Sequence, residues 1–212
     1  MSGHSKWKNI MHKKEKTDAQ RASVFTKIGK EISIAVREGG PDPVSNTRLR
    51  DLIQKAKANN VPNDNIDRVI KKAAGGDGAQ YEVVVYEGYG VGGVAVIVEA
   101  LTDNRTPSAA DIRHYFDKCG GNMGTPGCVE FLFLGHVYGI FEVFTDPSEL
   151  SGVRDALAAK GYVFLSAEPE KIPNTYVRLD DEEQRAKMSK LLGLLEDNDD
   201  VQNVWHNWED DE

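Results

Sequence analysis

The sequence has few cysteines, and their spacing excludes the common cysteine-based sites. Only Cys119 and Cys128 occur among 212 residues. Nine positions apart, they fit neither a zinc ribbon nor a redox C-x-x-C pair. We therefore expect free thiols and no metal site.

Long apolar segments are also missing. No stretch approaches the roughly 20 apolar residues that cross a bilayer. The N-terminus is rich in lysine but lacks the apolar core of a signal peptide. The sequence therefore predicts a cytoplasmic protein that has no membrane partner.

A dinucleotide-binding fingerprint is present in spacing but not in context. Gly88, Gly90 and Gly93 follow the pattern G-x-G-x-x-G. In a binding site a helix must follow the glycines, because N–H groups at its start hold the pyrophosphate. Here residues 94–102, VAVIVEALT, are rich in β-branched side chains and predict a strand. The glycines thus predict a hairpin connection, and no cofactor is expected.

Charge is distributed unevenly along the chain. Residues 1–76 contain 16 Lys and Arg against 8 Asp and Glu, whereas the other 136 residues contain 10 against 26. A basic segment on an acidic body is typical of a protein in which one part binds a polyanion. The alternative is an imbalance among solvated faces. We favour the polyanion because the basic residues are also clustered locally.

The basic segment predicts an arm followed by a three-helix bundle. Residues 1–17 contain five lysines and few large apolar residues, so we expect a mobile arm that becomes ordered on a partner. Helical periodicity begins near Asp18, again near Asn46, and again after Asn63. The positions expected to face the bundle core are Phe25, Ile28, Ile32 and Val36, then Leu49, Leu52, Ile53 and Ala56, then Ile66, Val69, Ile70 and Ala73.

The basic side chains outside these apolar positions predict a nucleic-acid surface. Lysine and arginine neutralise phosphates, which gives affinity with little sequence information, and a tryptophan can stack on a base. In the third helix Asn63, Asn65, Arg68 and Lys72 have a spacing suited to groove readout, but Asn63 suits a helix cap equally well. The predicted nucleic-acid-binding residues are Lys6, Trp7, Lys8, His12, Lys13, Lys14, Lys16, Arg21, Lys27, Arg48, Arg50, Lys55, Lys57, Arg68, Lys71 and Lys72.

The acidic remainder predicts alternating strands and helices. A helix is expected after Ser108 and Asp111, which resemble a capping box. The order β-α-β occurs twice, which is typical of ferredoxin-like domains. We predict an α+β fold, with the three-helix bundle followed by two α/β domains of ferredoxin-like character. The expected strands are 81–86, 94–101, 128–135, 137–144, 162–168, 174–179 and 201–207, and the later helices are 149–160 and 182–195.

Several long blocks resemble the YebC/PmpR family, in the same order and over nearly the whole chain. The blocks are GHSKWKNIMHKKEKTDAQRASVFTK, KANNVPNDNIDRVIKKA, YEGYGVGGVAVIVEALTDNR, IRHYFDKCGGNMGTPGCVEFLF and LEDNDDVQNVWHN. The resemblance implies a helical N-terminal domain and two α/β domains, the third inserted into the second.

This chain departs from the family pattern at two places. An opening strand and helix of the third domain are missing after residue 135, and Thr106-Pro107 replaces residues that are commonly polar or basic. We therefore expect a shortened third domain. The predicted boundaries are 1–17 for the arm, 18–78 for the bundle, 79–135 with 173–212 for the second domain, and 136–172 for the third.

The resemblance implies a regulator of gene expression. The primary hypothesis is a transcriptional regulator that binds DNA, and the alternative is a ribosome-associated translation factor that binds ribosomal or transfer RNA. The expected partner is therefore DNA, ribosomal RNA or the ribosome, and a monomer is favoured.

An enzyme is the contrasting class of function. Asp103 with His114, or the acidic cluster Asp197, Asp199 and Asp200, could supply catalytic groups. Neither set has the spacing of a nucleophile or metal site. We expect the acidic cluster to be a solvated surface, and we expect no catalytic residues.

Overall fold

The structure is a computed structural model that describes residues 4–76, 78–133, 149–162, 171 and 173–209, excluding the side chains of 4–20, 150 and 151. It is a mixed α+β fold, as predicted. The helices are α1 His4–Gly39, α2 Thr47–Ala58, α3 Asn63–Ala74, α4 Arg105–Lys118, α5 Leu150–Ala158 and α6 Glu182–Glu196. The strands are β1 Glu82–Tyr89, β2 Ala95–Thr102, β3 Asn122–Met123, β4 Val177–Arg178, β5 Val201–His206 and β6 Trp208–Glu209.

The chain divides into two compact units. Unit 1 comprises Met1–Val84, Glu99–Asp111 and Leu192–Asn203, and unit 2 comprises Val85–Val98, Ile112–Leu191 and Val204–Glu212. Unit 1 therefore contains the helical bundle together with one end of β2 and the first half of β5.

The bundle in unit 1 buries the apolar stripe of each helix. Ile53, Val69 and Ile70 are partly buried against its core, whereas Phe25 is half-buried and outside that cluster. Burying one leucine or isoleucine contributes about 2 kcal/mol, so this stripe supplies the main stabilising energy of the bundle. The core residues are Ile28, Ile32, Ala35, Val36, Leu49, Leu52, Ala56, Ile66 and Ala73.

Helix α1 begins earlier than the sequence predicted. It contains 36 residues and starts at His4, so the expectation of an arm without regular structure is wrong for 4–17. Residues 4–28 lack glycine and proline and contain six lysines and two alanines, which have high helix propensity. A shortage of apolar side chains prevents this segment from building a core but does not prevent the backbone from continuing the helix.

Asn46 fixes the connection between α1 and α2. Its Oδ1 accepts a hydrogen bond from the Leu49 amide at 3.0 Å and caps α2, which begins next to Asn46 as predicted. Its Nδ2 donates to the carbonyls of Ala35 at 2.7 Å and Gly40 at 2.8 Å. Asn46 is buried, and these three bonds satisfy its side chain, so it orients the second helix against the first.

The main sheet has the strand order β3-β1-β2-β5. Strand β2 is the most deeply buried of the described strands, with seven of its eight residues buried. Strands β1 and β3 are antiparallel, and Gly88 lies opposite Met123. A side chain at Gly88 would approach the Asn122 carbonyl to 2.6 Å, which explains the need for glycine there.

The glycine-rich segment forms a turn between two strands, as the sequence predicted. The Gly90 amide donates to the Val94 carbonyl at 2.7 Å, and Gly92 and Gly93 have φ values of 70° and 81°. A short 3₁₀ turn, Val91–Gly93, separates β1 from β2. Because a strand follows the glycines, no helix N-terminus faces a phosphate at this position.

Several local expectations are wrong. The described residues 128–133 do not form the strand expected at 128–135, because Glu130–Phe133 is a 3₁₀ helix. Strand β4 contains two residues instead of six. Helix α4 starts at Arg105 instead of after Ser108, and Asn104 Oδ1 accepts from the Thr106 amide at 3.3 Å. Ser108 is not a cap because it lies inside α4, where its hydroxyl bonds to Thr102, to the Asn104 carbonyl and to the Asp200 carboxylate.

The predicted third domain lies mainly outside the described residues. Helix α5 agrees with the helix expected at 149–160. The strands expected at 137–144 and 162–168 lie outside the residues that the structure describes, apart from residue 162. The predicted domain limits therefore stay a prediction.

Candidate nucleic-acid interface

The predicted nucleic-acid-binding residues of the N-terminus are all part of one helix. Helix α1 carries them along a segment that precedes its first core residue, Ile28. Their backbone positions are described but their side chains are not. These residues are Lys6, Trp7, Lys8, His12, Lys13, Lys14 and Lys16.

Most of the predicted basic residues in the bundle are accessible. Arg50 and Lys27 are half-buried. Seven others are exposed: Arg21, Arg48, Lys55, Lys57, Arg68, Lys71 and Lys72.

The exposed cations differ in their partners. Arg48 forms an ion pair with Glu38, and Lys55 Nζ lies 3.4 Å from Glu31 Oε2. In the described part of the chain, no carboxylate forms an ion pair with Lys57, Lys71 or Lys72. These three ammonium groups are therefore the strongest candidates for phosphate contacts in the bundle.

Helix α3 also presents acidic side chains to solvent. Asp64 and Asp67 line the same depression as Arg68 and Lys71, and Arg68 Nη2 donates to Asn65 Oδ1 at 2.8 Å. The carboxylates oppose the approach of phosphates on this side of the helix. Asn63 is the first helical residue and Pro62 occupies the cap position, so Asn63 is not a helix cap.

Lys27 makes an internal contact and is not a favourable ligand for phosphate. Its Nζ donates to the Glu196 carbonyl. Burial lowers the pKa of Lys27, although Asp199, Glu196 and Asp197 act in the opposite direction. A half-buried ammonium with an internal partner is a poor phosphate ligand, so Lys27 is the least suitable member of the predicted set.

Lys30 is a buried cation that sequence reasoning missed. Its residue is only 8 % exposed. The Nζ donates to the Leu101 carbonyl at 3.2 Å, to the Asp199 carbonyl at 2.9 Å, and to the Asp200 carboxylate. It also lies 5.6 Å from the centroid of the Tyr81 ring. The three donors of the ammonium group thus all have partners within unit 1.

The expectation that Asp200 belongs to a solvated acidic cluster is therefore wrong. Its second carboxylate oxygen accepts from the Ser108 hydroxyl, which also bonds to Thr102 Oγ1 at 2.7 Å. Burial raises the pKa of Asp200, but hydrogen bonds from Lys30 and Ser108 outweigh burial and lower the net pKa below its usual value. Asp197 and Asp199 are exposed, as expected.

Glu87 is a second buried charge that the sequence did not reveal. Its carboxylate accepts from the amides of Gly127 at 2.6 Å and of Val129 and Glu130 at 2.9 Å. Burial raises the pKa of Glu87, but these amides outweigh burial and lower it. The side chain therefore holds the loop that leads into the 3₁₀ helix Glu130–Phe133.

The described residues give no support to a catalytic or metal site. Asp103 and His114 are both exposed. No group of three or more His, Cys, Asp or Glu side chains that could hold a metal ion occurs within the described ranges. Among the same residues, no helix combines the length and apolar character required to cross a bilayer.

Family models and known proteins match nearly the whole chain. The model described as the TACO1/YebC protein N-terminal domain matches residues 5–76, and that of the TACO1/YebC second and third domain matches 81–138 and 135–208. The chain belongs to the TACO1/YebC family. The two matched segments of the second model meet at 135–138, where the sequence indicated a shortened third domain.

Relatives in the TACO1/YebC family share about half of the sequence. A protein of Acetivibrio thermocellus is 52% identical over 98% of this chain and 99% of its own length, and one of Caldicellulosiruptor bescii is 48% identical over both full lengths. Both are named "Probable transcriptional regulatory protein". The alignments span 241 and 243 positions, which exceeds the length of this chain, so both relatives carry residues that it lacks.

A crystal structure of a TACO1/YebC relative has the same fold. It is a conserved hypothetical protein from Aquifex aeolicus, 40% identical, with a TM-score of 0.76 over 91% of each chain. The likeness in both sequence and structure supports the α+β assignment.

Proposed function

We propose that this TACO1/YebC protein regulates gene expression by binding nucleic acid through helix α1 and the exposed cations of the bundle. The observation that supports this most directly is the set of exposed cations Lys57, Lys71 and Lys72, for which the described residues provide no ion-pair partner. Unpaired surface lysines bind phosphates without first breaking internal contacts.

The extended start of α1 is the second element of this surface. Lys8, His12 and Lys16 recur every four residues, the spacing at which positions along a helix share one side. A basic helix that precedes the first core residue can follow a phosphate backbone over several turns. We assign it to phosphate contacts, which give affinity and little sequence selectivity.

DNA is the proposed ligand and transcription the proposed process. Relatives that are about 50% identical carry the name "Probable transcriptional regulatory protein". In addition, the major groove of duplex DNA is wide enough to admit an α-helix. In this proposal α1 supplies most of the affinity and the bundle cations orient the protein on the duplex.

Salt dependence of binding tests the proposal. The variant K6A/K8A/K13A/K14A should bind a DNA duplex more weakly, and its slope of log K against log salt should fall by about 0.9 per lost phosphate contact. The matched control replaces four exposed lysines elsewhere, Lys118, Lys160, Lys187 and Lys190, by alanine. Equal slopes for the two quadruple variants would refute the assigned surface.

A translation factor that binds RNA is the second candidate. It is favoured by Trp7 and His12, which stand among the lysines of α1, because aromatic side chains stack on the unpaired bases of irregular RNA. Phosphate contacts alone suit ribosomal or transfer RNA as well as DNA.

Sedimentation of a cell lysate distinguishes the two candidates. Comigration with ribosomes that is lost in K6A/K8A/K13A/K14A would support the translation factor. Migration with chromosomal DNA, or retention at the top of the gradient together with duplex binding in vitro, would support the transcriptional regulator.

A further inference from the structure

A pocket lined by aromatic side chains lies within unit 2, separate in sequence from the basic bundle. Tyr176, Trp205 and Trp208 line it together with Lys171 and His206. Its volume is about 330 Å³, at the lower end of pockets that bind small molecules. A space of this size suits a single nucleotide but not a duplex.

The pocket is held by a network around a buried asparagine. Asn207 is 2 % exposed. Its Nδ2 donates to the Thr175 carbonyl at 3.1 Å, and its backbone carbonyl accepts from the Val177 amide at 2.7 Å. Both residues that flank Tyr176 are therefore fixed by Asn207, so the tyrosine ring projects from a restrained backbone.

The same asparagine connects the pocket to the sheet. Its Oδ1 accepts from the Ala95 amide at 2.7 Å, and its amide donates to the Ala95 carbonyl at 3.2 Å. Trp205 packs with Ala95 and Ile97 in the core of unit 2. The aromatic residues are thus supported from behind by β2, and the site needs little ordering to receive a ligand.

The pocket combines the two chemical features that a nucleotide requires. Tyr176 is 58% exposed and offers an aromatic surface on which a base can stack. Lys171 Nζ lies 5.7 Å from the Trp205 ring centroid and 3.6 Å from Glu130 Oε1. That ion pair is partly exposed and therefore weak, so a phosphate can replace the carboxylate.

We propose that this pocket binds one unpaired nucleotide, with the base stacked on Tyr176 and the phosphate paired with Lys171. The proposal deepens the proposed nucleic-acid function, on which it rests, by adding a site for a base outside a duplex. Every base has an aromatic face, so the site selects an unpaired conformation more than a particular sequence.

Tryptophan fluorescence during a nucleotide titration tests the proposal. The full chain with Trp7→Phe leaves Trp205 and Trp208 as its tryptophans, so quenching reports on the pocket. Adenosine monophosphate and single-stranded hexa-adenylate should both quench saturably. With Lys6, Lys8, Lys13 and Lys14 also replaced by alanine, tighter binding of the hexamer would identify a nucleotide within a strand as the ligand of the pocket. Equal affinity would identify a free nucleotide.

Two substitutions locate the binding site. Tyr176→Ala should weaken both ligands about tenfold, whereas Tyr162→Ala, which removes an equally exposed tyrosine outside the pocket, should have no effect. Lys171→Met should weaken adenosine monophosphate and leave adenosine unchanged, since adenosine has no phosphate. Absence of saturable quenching, or equal effects of the two tyrosine substitutions, would overturn the proposal.

Duplex binding by the same variants separates this proposal from the proposed function. Tyr176→Ala should bind duplex DNA with the affinity of the unsubstituted protein. Nucleotide binding by a protein that binds neither duplex nor long RNA would overturn the proposed function and support the pocket.

Discussion

The Lys30–Asp200 contact and the exposed end of α3 use basic residues from the same part of the chain in opposite ways. Lys30 is 8 % exposed and donates to three oxygens. Lys71 and Lys72 are exposed at the end of α3. Net charge therefore measures neither the size nor the position of a binding surface, because some cations are buried and hydrogen-bonded within the folded protein.

Removal of the buried cation should give the largest effect. Lys30→Met leaves the Asp200 carboxylate and two carbonyls without their donor, so the free energy of unfolding should fall by about 3 kcal/mol. Urea denaturation measures this loss. The control Lys57→Met, at an exposed position, should change stability by less than about 0.5 kcal/mol; similar losses at both sites would remove the contrast between them.

Glu87, the second buried charge, allows the same comparison of buried and exposed charges in unit 2. Glu87→Gln replaces an acceptor of three amide hydrogen bonds by a neutral amide, and we expect a loss of about 2 kcal/mol in the free energy of unfolding. Glu130→Gln, an exposed residue of the same loop, is the matched control and should be nearly neutral. A neutral Glu87→Gln would mean that the loop does not depend on this carboxylate.

Acid should weaken the buried contact selectively. The pKa of Asp200 is lowered in the folded protein, so its stabilising contribution is present above the pKa of the unfolded chain, about 4, and is lost as pH falls through the folded pKa. The stability difference between the unsubstituted protein and Asp200→Asn should therefore be constant near neutral pH and shrink below about pH 4. Chemical denaturation at several pH values measures it, and a constant difference down to the lowest pH would contradict the assignment.

The exposed lysines of the bundle should affect stability least, and their substitution should weaken DNA binding. K57A/K71A/K72A should lower the free energy of unfolding by less than about 0.5 kcal/mol per substitution. Its slope of log K against log salt for DNA should fall by about 0.9 per lost contact. Lys30→Met, measured where it remains folded, should leave that slope unchanged; a lower slope would mean that Lys30 also contributes to the binding surface.

Local patterns predicted the bundle well and the connections poorly. The positions of Leu49, Ile66 and Ala73 follow from helical period alone, and all three are buried. The 3₁₀ helix at Glu130–Phe133 was mistaken for a strand because its aromatic and aliphatic residues favour strands in isolation. The amides of Val129 and Glu130 donate to the Glu87 carboxylate. Strand propensity cannot predict this contact, because Glu87 is distant in the sequence.

The candidate binding surface was predicted only as a set of basic residues. Composition and clustering identified the exposed Lys57, Lys71 and Lys72, but also included Lys27, which bonds to the Glu196 carbonyl. Lys30 was not among the predicted residues, and its partners Leu101, Asp199 and Asp200 are distant in the sequence. Only the folded structure shows which lysines have internal hydrogen-bond or ion-pair partners and which do not.

The sequence alone determined the family, the inward faces of the three bundle helices and the absence of a helix after the glycine-rich segment, because each depends on residues close together in the chain. Tertiary structure decided the pairing of Lys30 with Asp200, 170 residues apart, and the support of Tyr176 by Asn207. Desolvation and hydrogen bonding determine the role of such side chains, and both depend on which distant segments fold against them.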